Sequence, residues 1–370
     1  MSVFAAREAA AGTGSPLATL PADTSGADLW HALGAQNRLA GVYRGNDPRR
    51  GVDPAALSTL LTDVDRRFGV GSTLAVTVPL ATCLPLLAHG TGPATHTLAD
   101  SLDGHTVVAL AATDEDSGCD LAALDTRVTF DGDRVRLDGT KRWITNATTC
   151  GAALVLARHR PGPHFTNFTW VLVPADAPGV RAEPAGTDLF DGSGTGHLAF
   201  DGVRLTREHV VGGTGRGLSA FAAHIATERL AGALWAVALC ERVLRDTARH
   251  LGRRRQGGGV LWDREAIRQR WAGALLRSRQ HRALTESLTE AVAARRDTAA
   301  AALLKASAAE TVEHVLDVCA HLQGAHGFRT GGPQQLRAQA ALFGIGGGTT
   351  EVVLDIMAET APLAGAGELP

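Results

Sequence analysis

The pattern of hydrophobic and polar positions divides the chain into three successive regions. Within residues 1–105, an arm of about 26 residues rich in Ala, Gly, Ser and Thr precedes Ala27, where helical spacing of apolar positions begins. Residues 106–213 contain short apolar or alternating runs separated by turn residues, which is typical of short strands. Residues 214–370 return to helical spacing, and the most regular stripe runs from Glu228 to Leu251. The pattern therefore predicts an N-terminal helical domain, a middle β domain and a C-terminal helical bundle with these boundaries.

Two helices of the first region have identifiable ends or interruptions. A helix from Pro54 to Phe68 is predicted, with Asp53 as its N-cap and Pro54 at the first helical position. The next helix, from Thr73 to Leu87, is almost wholly apolar, so we expect it to be buried on most sides. Pro79 and Pro85 are expected to bend or divide it. No apolar run approaches the roughly 20 residues of a membrane span.

The most informative stretch of the middle region runs from Asp131 to Asn146. The pairs Asp131-Gly132 and Asp138-Gly139 predict turns, and the residues between them alternate as in a half-buried strand. This pattern predicts a β-hairpin whose outgoing arm carries Trp143-Ile144-Thr145. On general grounds such a segment is an ordinary hairpin, and its functional importance depends on the surrounding sequence.

Composition limits the classes of protein and partner. The 370 residues are 45% hydrophobic and 20% charged, with a formal net charge of −2 and no long block of one sign. This balance is that of a globular protein and predicts neither a nucleic-acid partner nor a membrane surface. The N-terminus lacks the apolar core of a secretory signal, so we expect a cytoplasmic protein. The five cysteines are dispersed without a C-x-x-C pair, which indicates neither a disulfide framework nor a zinc site.

Three motifs of the middle region resemble the acyl-CoA dehydrogenase flavoproteins. The chain reads T-D-E-D-S-G-C-D from Thr113, L-D-G-T-K-R-W-I-T-N from Leu137 and F-D-G-V-R-L from Phe200, in the order of that family. The first motif departs from the family, because its proline is missing and Cys119 replaces a serine. In the family these segments hold the isoalloxazine ring of FAD against the sheet. The resemblance implies that the flavin contacts Thr113, Gly118, Cys119, Trp143, Ile144 and Thr145.

Two further motifs lie in the C-terminal region. R-R-Q-G-G, from Arg254, resembles R-x-Q-F-G, whose arginine reaches the FAD pyrophosphate of a neighbouring subunit, and Gly257 replaces the aromatic residue. H-L-Q-G-A-H-G-F, from His321, resembles Q-x-x-G-G-x-G-[FY]. On physical grounds a solvated basic helix end and ordinary hydrogen-bonded histidines explain the same residues. The resemblance implies cofactor contacts from Arg254, Gln256, His321, Gly324, Ala325, Thr349 and Glu351.

The catalytic base is expected at an unusual place. I-G-G-G-T-T-E-V, from Ile345, resembles I-Y-E-G-T-x-E-I, whose first glutamate is the base in most of the family, and Gly347 replaces it. Thr227-Glu228-Arg229-Leu230 resembles the isovaleryl and long-chain branches, in which a helix supplies the base. We therefore assign Glu228 as the base and Arg229, Gly347 and Gly348 to the substrate site. The alternative is a Glu–Arg pair stabilised by the helix dipole.

The resemblance extends from Ala27 to Ala358 and implies both a fold and a function. The fold is α+β multidomain: a helical domain, a middle β-barrel domain and a four-helix bundle. The implied function is FAD-dependent α,β-dehydrogenation of an acyl thioester. The implied carrier of the acyl group is coenzyme A or an acyl carrier protein. The enzyme would be a homodimer or homotetramer, and a flavoprotein is one candidate electron acceptor. Two alternatives stay open. One is a flavoprotein that catalyses cyclisation, elimination or monooxygenation, and the other is a non-catalytic paralogue.

Overall fold

In the computed structural model, helical regions precede and follow a mainly antiparallel sheet along the chain. The structure describes residues 16–115, 118 and 120–360. The α-helices are α1 (Gly26–Ala35), α2 (Pro54–Arg67), α3 (Val70–Val78), α4 (Leu84–Leu87), α5 (Pro93–Leu102), α6 (Gly217–Arg253), α7 (Glu265–Arg295), α8 (Thr298–Gln323), α9 (Pro333–Ala340) and α10 (Thr350–Thr360). The strands are β1 (Val108–Ala111), β2 (Arg127–Asp131), β3 (Arg134–Ile144), β4 (Ala152–Arg158), β5 (Phe168–Pro174), β6 (Val180–Pro184), β7 (Gly196–Thr206), β8 (Val210–Val211), β9 (Arg255–Gln256) and β10 (Gly259–Val260). Single helical turns connect several of these elements.

The apolar helix of the first region is divided as its prolines predict. Helix α3 passes through a π-helical turn, Pro79–Cys83, into α4. Because Pro79 has no backbone N–H, the carbonyl of Ala75 one turn earlier loses its helical donor. The side chain of Asn146, from the end of β3, donates to that carbonyl instead at 2.9 Å. The proline thus creates the acceptor that attaches the middle domain to this helix.

The predicted start of α2 is confirmed. The Asp53 carboxylate accepts hydrogen bonds from the backbone N–H groups of Ala55 and Ala56 at 2.9 and 3.1 Å. The expectation about apolar runs needs a correction. Val70–Leu87 is long and apolar enough to cross a membrane by length and composition alone. However, 89% of it is buried inside the protein, so a core helix explains the same composition.

The sheet has the order β6-β7-β3-β2-β4-β5-β8, with β1 paired to β4 in parallel. Strand β4 is buried on both faces. Its side chains at 152, 154 and 156 pack into the large core shared with the helices, whereas those at 153, 155 and 157 pack into a second core within the β domain. This alternation explains why β4 appears in the sequence as a continuous apolar run rather than an alternating one.

The long helices α6, α7 and α8 pack against one another, and α2 packs against α6. Buried Asp65 joins the last pair, since it accepts hydrogen bonds from Trp235 Nε1 at 3.1 Å and from Arg242 Nε at 2.8 Å. The architecture confirms the predicted fold class: helical N-terminal domain, β-rich middle domain and helical C-terminal domain. The exact domain boundaries stay predictions.

One turn was predicted wrongly and two helices were missed. Strand β3 passes straight through Asp138-Gly139, so the hairpin turns only at Asp131-Gly132. The pairing of β3 with β7 shifts register at Gly139, which has φ +141°. A Cβ on Gly139 would lie 2.7 Å from the Cα of Thr126, so the glycine allows a close approach of backbones. Helices α5 and α9 are short and polar, and their weak periodicity gave no signal.

Candidate active site

Glu228 lies on α6 opposite the π-helical turn that joins α3 to α4. The hydroxyl of Thr82 donates a hydrogen bond to its Oε2 at 3.0 Å. Burial raises the pKa of Glu228, whereas the Thr82 hydrogen bond and the charges of Arg229 and Lys305 lower it, and the net direction is upward. A carboxylate with a raised pKa is suited to accept a proton near neutral pH.

The loop that carries Gly347 approaches the same carboxylate. Gly347 has φ +73°, and a Cβ built on it would lie 3.3 Å from Glu228 Oε1. The loop position at which the family motif has a glutamate therefore lies next to the carboxylate of Glu228. A Cβ at 347 would require Glu228 Oε1 to move by a few tenths of an ångström, so a side chain at 347 would contact Glu228 directly.

Two buried cations hold this loop in place. Arg229 Nε donates to the backbone carbonyl of Gly347 at 3.3 Å, and Lys305 Nζ donates to the carbonyl of Phe343. Lys305 Cε lies 3.8 Å from the Cβ position of residue 347. Lys305 was not predicted as a site residue. The sequence offers one sign of its importance, because Lys305 is a single lysine within the Ala-rich, otherwise apolar beginning of α8.

Trp143 lies near the end of β3 in an unusual conformation. Its φ is +57°, in the left-handed region, and its side chain is 58% exposed. Its backbone N–H donates to His197 Nδ1 at 3.2 Å, and the two rings meet edge to face with centroids 5.6 Å apart. The neighbouring Ile144 points into the core and Thr145 is part-buried. Strand β3 thus presents an indole to the surroundings instead of burying it.

The loop with the predicted flavin contacts is fastened to the same strand. The backbone N–H of Arg142 donates to the carbonyl of Thr113 at 2.9 Å. Lys141 is fully buried and donates to Ala112 O at 2.9 Å and to Asp114 Oδ1 at 2.5 Å. Burial lowers the pKa of Lys141 to about 8, against the opposing effect of Asp114. This ion pair was not predicted from the sequence, and it joins the start of the loop to the strand that carries Trp143.

Two other residues of the loop were predicted to contact the flavin. Gly118 is exposed and has φ +51°, whereas Cys119 lies outside the described residues.

Helix α3 and the π-helical turn connect the Trp143 segment to the Glu228 carboxylate. Asn146 is hydrogen-bonded to Ala75, and Glu228 is hydrogen-bonded to Thr82. Thr82 lies seven residues after Ala75, which is about 10 Å at the rise of a helix.

A second group of predicted cofactor residues lies at the other end of the bundle. Arg254 caps the C-terminus of α6, 26 positions after Glu228, or about 39 Å along the helix. Gln256 in β9 and His321 near the end of α8 are exposed, as are Gly324 and Ala325 in the turn that follows. Near the Gly347 loop, Thr349 is part-buried and Glu351 is exposed in the first turn of α10. The predicted residues therefore form two separate groups within one chain.

The first group fits a flavin ring. The exposed face of Trp143 offers a stacking surface. Asn146 Oδ1 and Arg142 Nε are buried and have no hydrogen-bond partner among the described residues. Buried polar atoms normally have partners, so this acceptor and this donor, within three residues of Trp143, fit a bound group with a polar edge.

Comparisons with known proteins identify the family. The description "Acyl-CoA dehydrogenase, middle domain" matches residues 109–203, and "Acyl-CoA dehydrogenase, C-terminal domain" matches residues 215–361. The chain therefore belongs to the acyl-CoA dehydrogenase family. Membership confirms the predicted class of CH–CH oxidoreductase and FAD as the cofactor. The individual site residues stay predictions.

The chain is similar to several named relatives and solved structures. It is 28% identical over 267 residues to the acyl-[acyl-carrier-protein] dehydrogenase MbtN of Mycobacterium sp. (strain MCS), covering 70% of this chain and 67% of that protein. It is 26% identical to the acyl-CoA dehydrogenase AFT10-1 of Alternaria alternata, covering 69% of this chain and 62% of that protein. The crystal structure of an acyl-CoA dehydrogenase from Geobacillus kaustophilus superposes with a TM-score of 0.83 at 20% identity, covering 91% and 90% of the two chains. An FAD complex of PigA gives 0.82 at 18% identity with the same coverage, and these two likenesses show the fold.

Proposed function

We propose that this protein catalyses the α,β-dehydrogenation of an acyl thioester with FAD as the oxidant and Glu228 as the base. The observation that carries the proposal is the 3.3 Å approach between Glu228 Oε1 and the Cβ position of residue 347. This approach supports the proposal that a carboxylate from α6 takes the place of the one that the loop lacks. The contacts of Thr82, Arg229 and Lys305 support the proposal, since they fix the carboxylate and the loop together.

The residues of this chain would act on the α-carbon of the substrate. Glu228 takes the α-proton, and its raised pKa reduces the cost of transferring a proton from a weak carbon acid. The chemistry that FAD supplies when bound is two-electron oxidation, since it accepts the hydride lost by the β-carbon. The product is an α,β-unsaturated thioester. Thr82 orients the carboxylate by donating to Oε2, which leaves Oε1 directed toward the Gly347 loop.

Two groups of residues would hold the cofactor. Trp143 would stack on the flavin, with Thr113, Thr145 and Asn146 around its polar edge. Arg254 and its neighbours at the far end of α6 lie about 39 Å from Glu228, which exceeds the length of an extended FAD. We therefore propose a homo-oligomer in which the second group binds the FAD of another copy.

The carrier of the acyl group is proposed from the relatives. One relative is named for an acyl carrier protein substrate and another for acyl-CoA, and both carriers present the acyl group as a thioester. A thioester is the chemistry that the site requires, because it acidifies the α-carbon. A carrier protein and coenzyme A are distinguished by supplying the same acyl group on each.

Anaerobic mixing of the FAD-loaded protein with acyl thioesters tests the function. Dehydrogenation bleaches the flavin absorbance in proportion to substrate, and Glu228→Gln should abolish the bleaching while the protein stays yellow. Glu241→Gln is the matched control, because Glu241 lies on the same helix and pairs with Arg282 at 2.9 Å. Full bleaching by Glu228→Gln would remove Glu228 from the mechanism.

The two alternatives give different results in the same experiment. A flavoprotein with non-desaturating chemistry binds FAD but is not bleached in proportion to thioester. A non-catalytic paralogue stays colourless after incubation with FAD. The departures at Gly257, His321, Ala325 and Gly347 motivate these alternatives, whereas the contacts of Glu228 with Thr82 and of Arg229 with Gly347 support dehydrogenation.

A further inference from the structure

Trp143 lies in a bulge of strand β3. The pairing of β3 with β7 shifts register between Lys141 and Ile144, so Arg142 and Trp143 together lie opposite the single residue His197. An extra residue of this kind bends the strand and re-aims a side chain, and such bulges are over-represented next to active sites. The direction of the indole is therefore set where β3 and β7 fall out of step.

The two residues of the bulge are held by different partners. Arg142 is fastened to the loop before β2, because its backbone N–H donates to Thr113 O at 2.9 Å and its Nη2 donates to Glu115 Oε2 at 2.7 Å. The backbone N–H of Trp143 donates instead to a side-chain atom, His197 Nδ1, at 3.2 Å. The bulge thus assigns one residue to the loop and the other to His197.

The conformation of Trp143 requires such a partner. Its φ of +57° lies in the left-handed region, which a bulky residue rarely adopts. Its side chain is 58% exposed, so burial in the core does not fix the indole. The ring of His197 meets the indole nearly at a right angle, at 87°, with centroids 5.6 Å apart. His197 therefore contacts both the backbone and the ring of Trp143, and unusual backbone conformations persist where the surroundings hold them.

His197 is itself well placed to act as the holder. It is part-buried between two buried neighbours on β7, Gly196 and Leu198. Strand β7 is paired on both sides, with β3 and with β6, so the backbone of His197 is fixed within the sheet. Because Nδ1 accepts the hydrogen bond, the neutral ring carries its proton on Nε2.

We propose that His197 is a positioning residue of the flavin site, which holds Trp143 in the left-handed conformation that turns the indole toward the isoalloxazine ring. The proposal rests on the proposed function only in placing that ring against Trp143. His197 acts through Trp143 and not by contact with the cofactor. An aliphatic side chain at 197 would supply neither the acceptor nor the ring contact.

The test measures two properties of the full-length protein: the FAD dissociation constant, by flavin fluorescence, and the quenching of indole fluorescence by bound flavin. His197→Ala should weaken FAD binding by about tenfold, since a hydrogen bond and the conformation that depends on it are lost. It should also reduce the part of the quenching that Trp143→Phe assigns to residue 143. His197→Asn should restore most of the affinity and the quenching, because an amide oxygen can accept the Trp143 N–H in place of Nδ1.

A double-mutant cycle separates positioning from direct contact. In a Trp143→Ala background, His197→Ala should change the affinity for FAD by less than about twofold, because the residue that it acts through is gone. An equal loss of affinity in both backgrounds would overturn the proposal. So would a His197→Ala variant with wild-type affinity and quenching, or a His197→Asn variant as weak as His197→Ala.

His164→Ala is the matched control. His164 is exposed in the loop after β4, and its Nδ1 also accepts a backbone N–H, from Thr166 at 3.4 Å. This variant should bind FAD as wild type does, and thermal unfolding of each variant separates a lost contact from a lost fold. A wild type that binds FAD but is not bleached by thioesters would contradict the proposed function and leave the role of His197 intact, whereas failure to bind FAD would overturn both.

Discussion

Moving the base back to the loop is the sharpest perturbation that the geometry allows. We predict that Glu228→Ala lowers the rate of flavin reduction by about 10³-fold, the usual contribution of a general base. Adding Gly347→Glu to this variant should recover at least about tenfold, because the Cβ of residue 347 is directed at the position vacated by the carboxylate, 3.3 Å away. Recovery should be incomplete, since a glutamate at φ +73° costs about 1–2 kcal/mol in backbone strain.

The assay is anaerobic stopped-flow reduction of the bound flavin by an acyl thioester, with FAD content checked by absorbance. The matched control places the glutamate at 348, where φ is also positive, at +101°, but a Cβ lies 3.5 Å from Arg229 Nη2 instead of near Glu228. Glu228→Ala with Gly348→Glu should show no recovery. A folded, FAD-loaded 347 double variant as slow as Glu228→Ala would refute the convergence of the two positions, and so would a normal rate in Glu228→Ala alone.

Three further predictions concern the neighbours of Glu228 and the flavin loop. Thr82→Val removes a hydrogen bond that lowers the pKa of Glu228, so the acidic limb of the pH–rate profile should move to higher pH, while Thr82→Ser leaves it in place. Lys305→Met should move the same limb in the same direction, because the charge of Lys305 also lowers the pKa of Glu228. It should also cost about 1–3 kcal/mol of stability by removing the Lys305 donor to the Phe343 carbonyl. Lys305→Arg should restore the pH profile. Asp114→Asn leaves Lys141 buried without its counter-ion and should cost about 3–5 kcal/mol in denaturant unfolding, whereas combining it with Lys141→Met should recover part of that loss. An unchanged limb in the first two variants, or a Lys141 double variant no more stable than Asp114→Asn, would contradict these assignments.

The hairpin shows what a local pattern can and cannot predict. Its turn at Asp131-Gly132 and the apolar positions of β3 follow from neighbouring residues, and both were predicted. The role of Gly139 depends on Thr126, which approaches from before β2, so a local turn signature gave the wrong answer. The same holds for the π-helical turn, where Pro79 predicted an interruption but only the fold shows that Asn146 fills the freed hydrogen bond.

The candidate site divides in the same way. Glu228 and the loss of the loop carboxylate at Gly347 were predicted from motifs, because both positions lie in recognisable runs. Lys305 and Asp114 were missed as site residues, because their importance comes from partners far along the chain and from burial. Trp143 and His197 are 54 positions apart and become neighbours only when β3 and β7 pair. Charge and periodicity alone contain no signal for such pairs.

The central claim is that Glu228 removes the α-proton of an acyl thioester. Single-turnover flavin reduction with α-deuterated and unlabelled thioester, measured across pH, tests it most directly. The account predicts a slower reaction with the deuterated substrate and a rate that falls as the pH drops through a pKa above the ordinary value for glutamate, with both features lost in Glu228→Gln. Flavin reduction in Glu228→Gln at the wild-type rate, with the same isotope effect and pH profile, would contradict it.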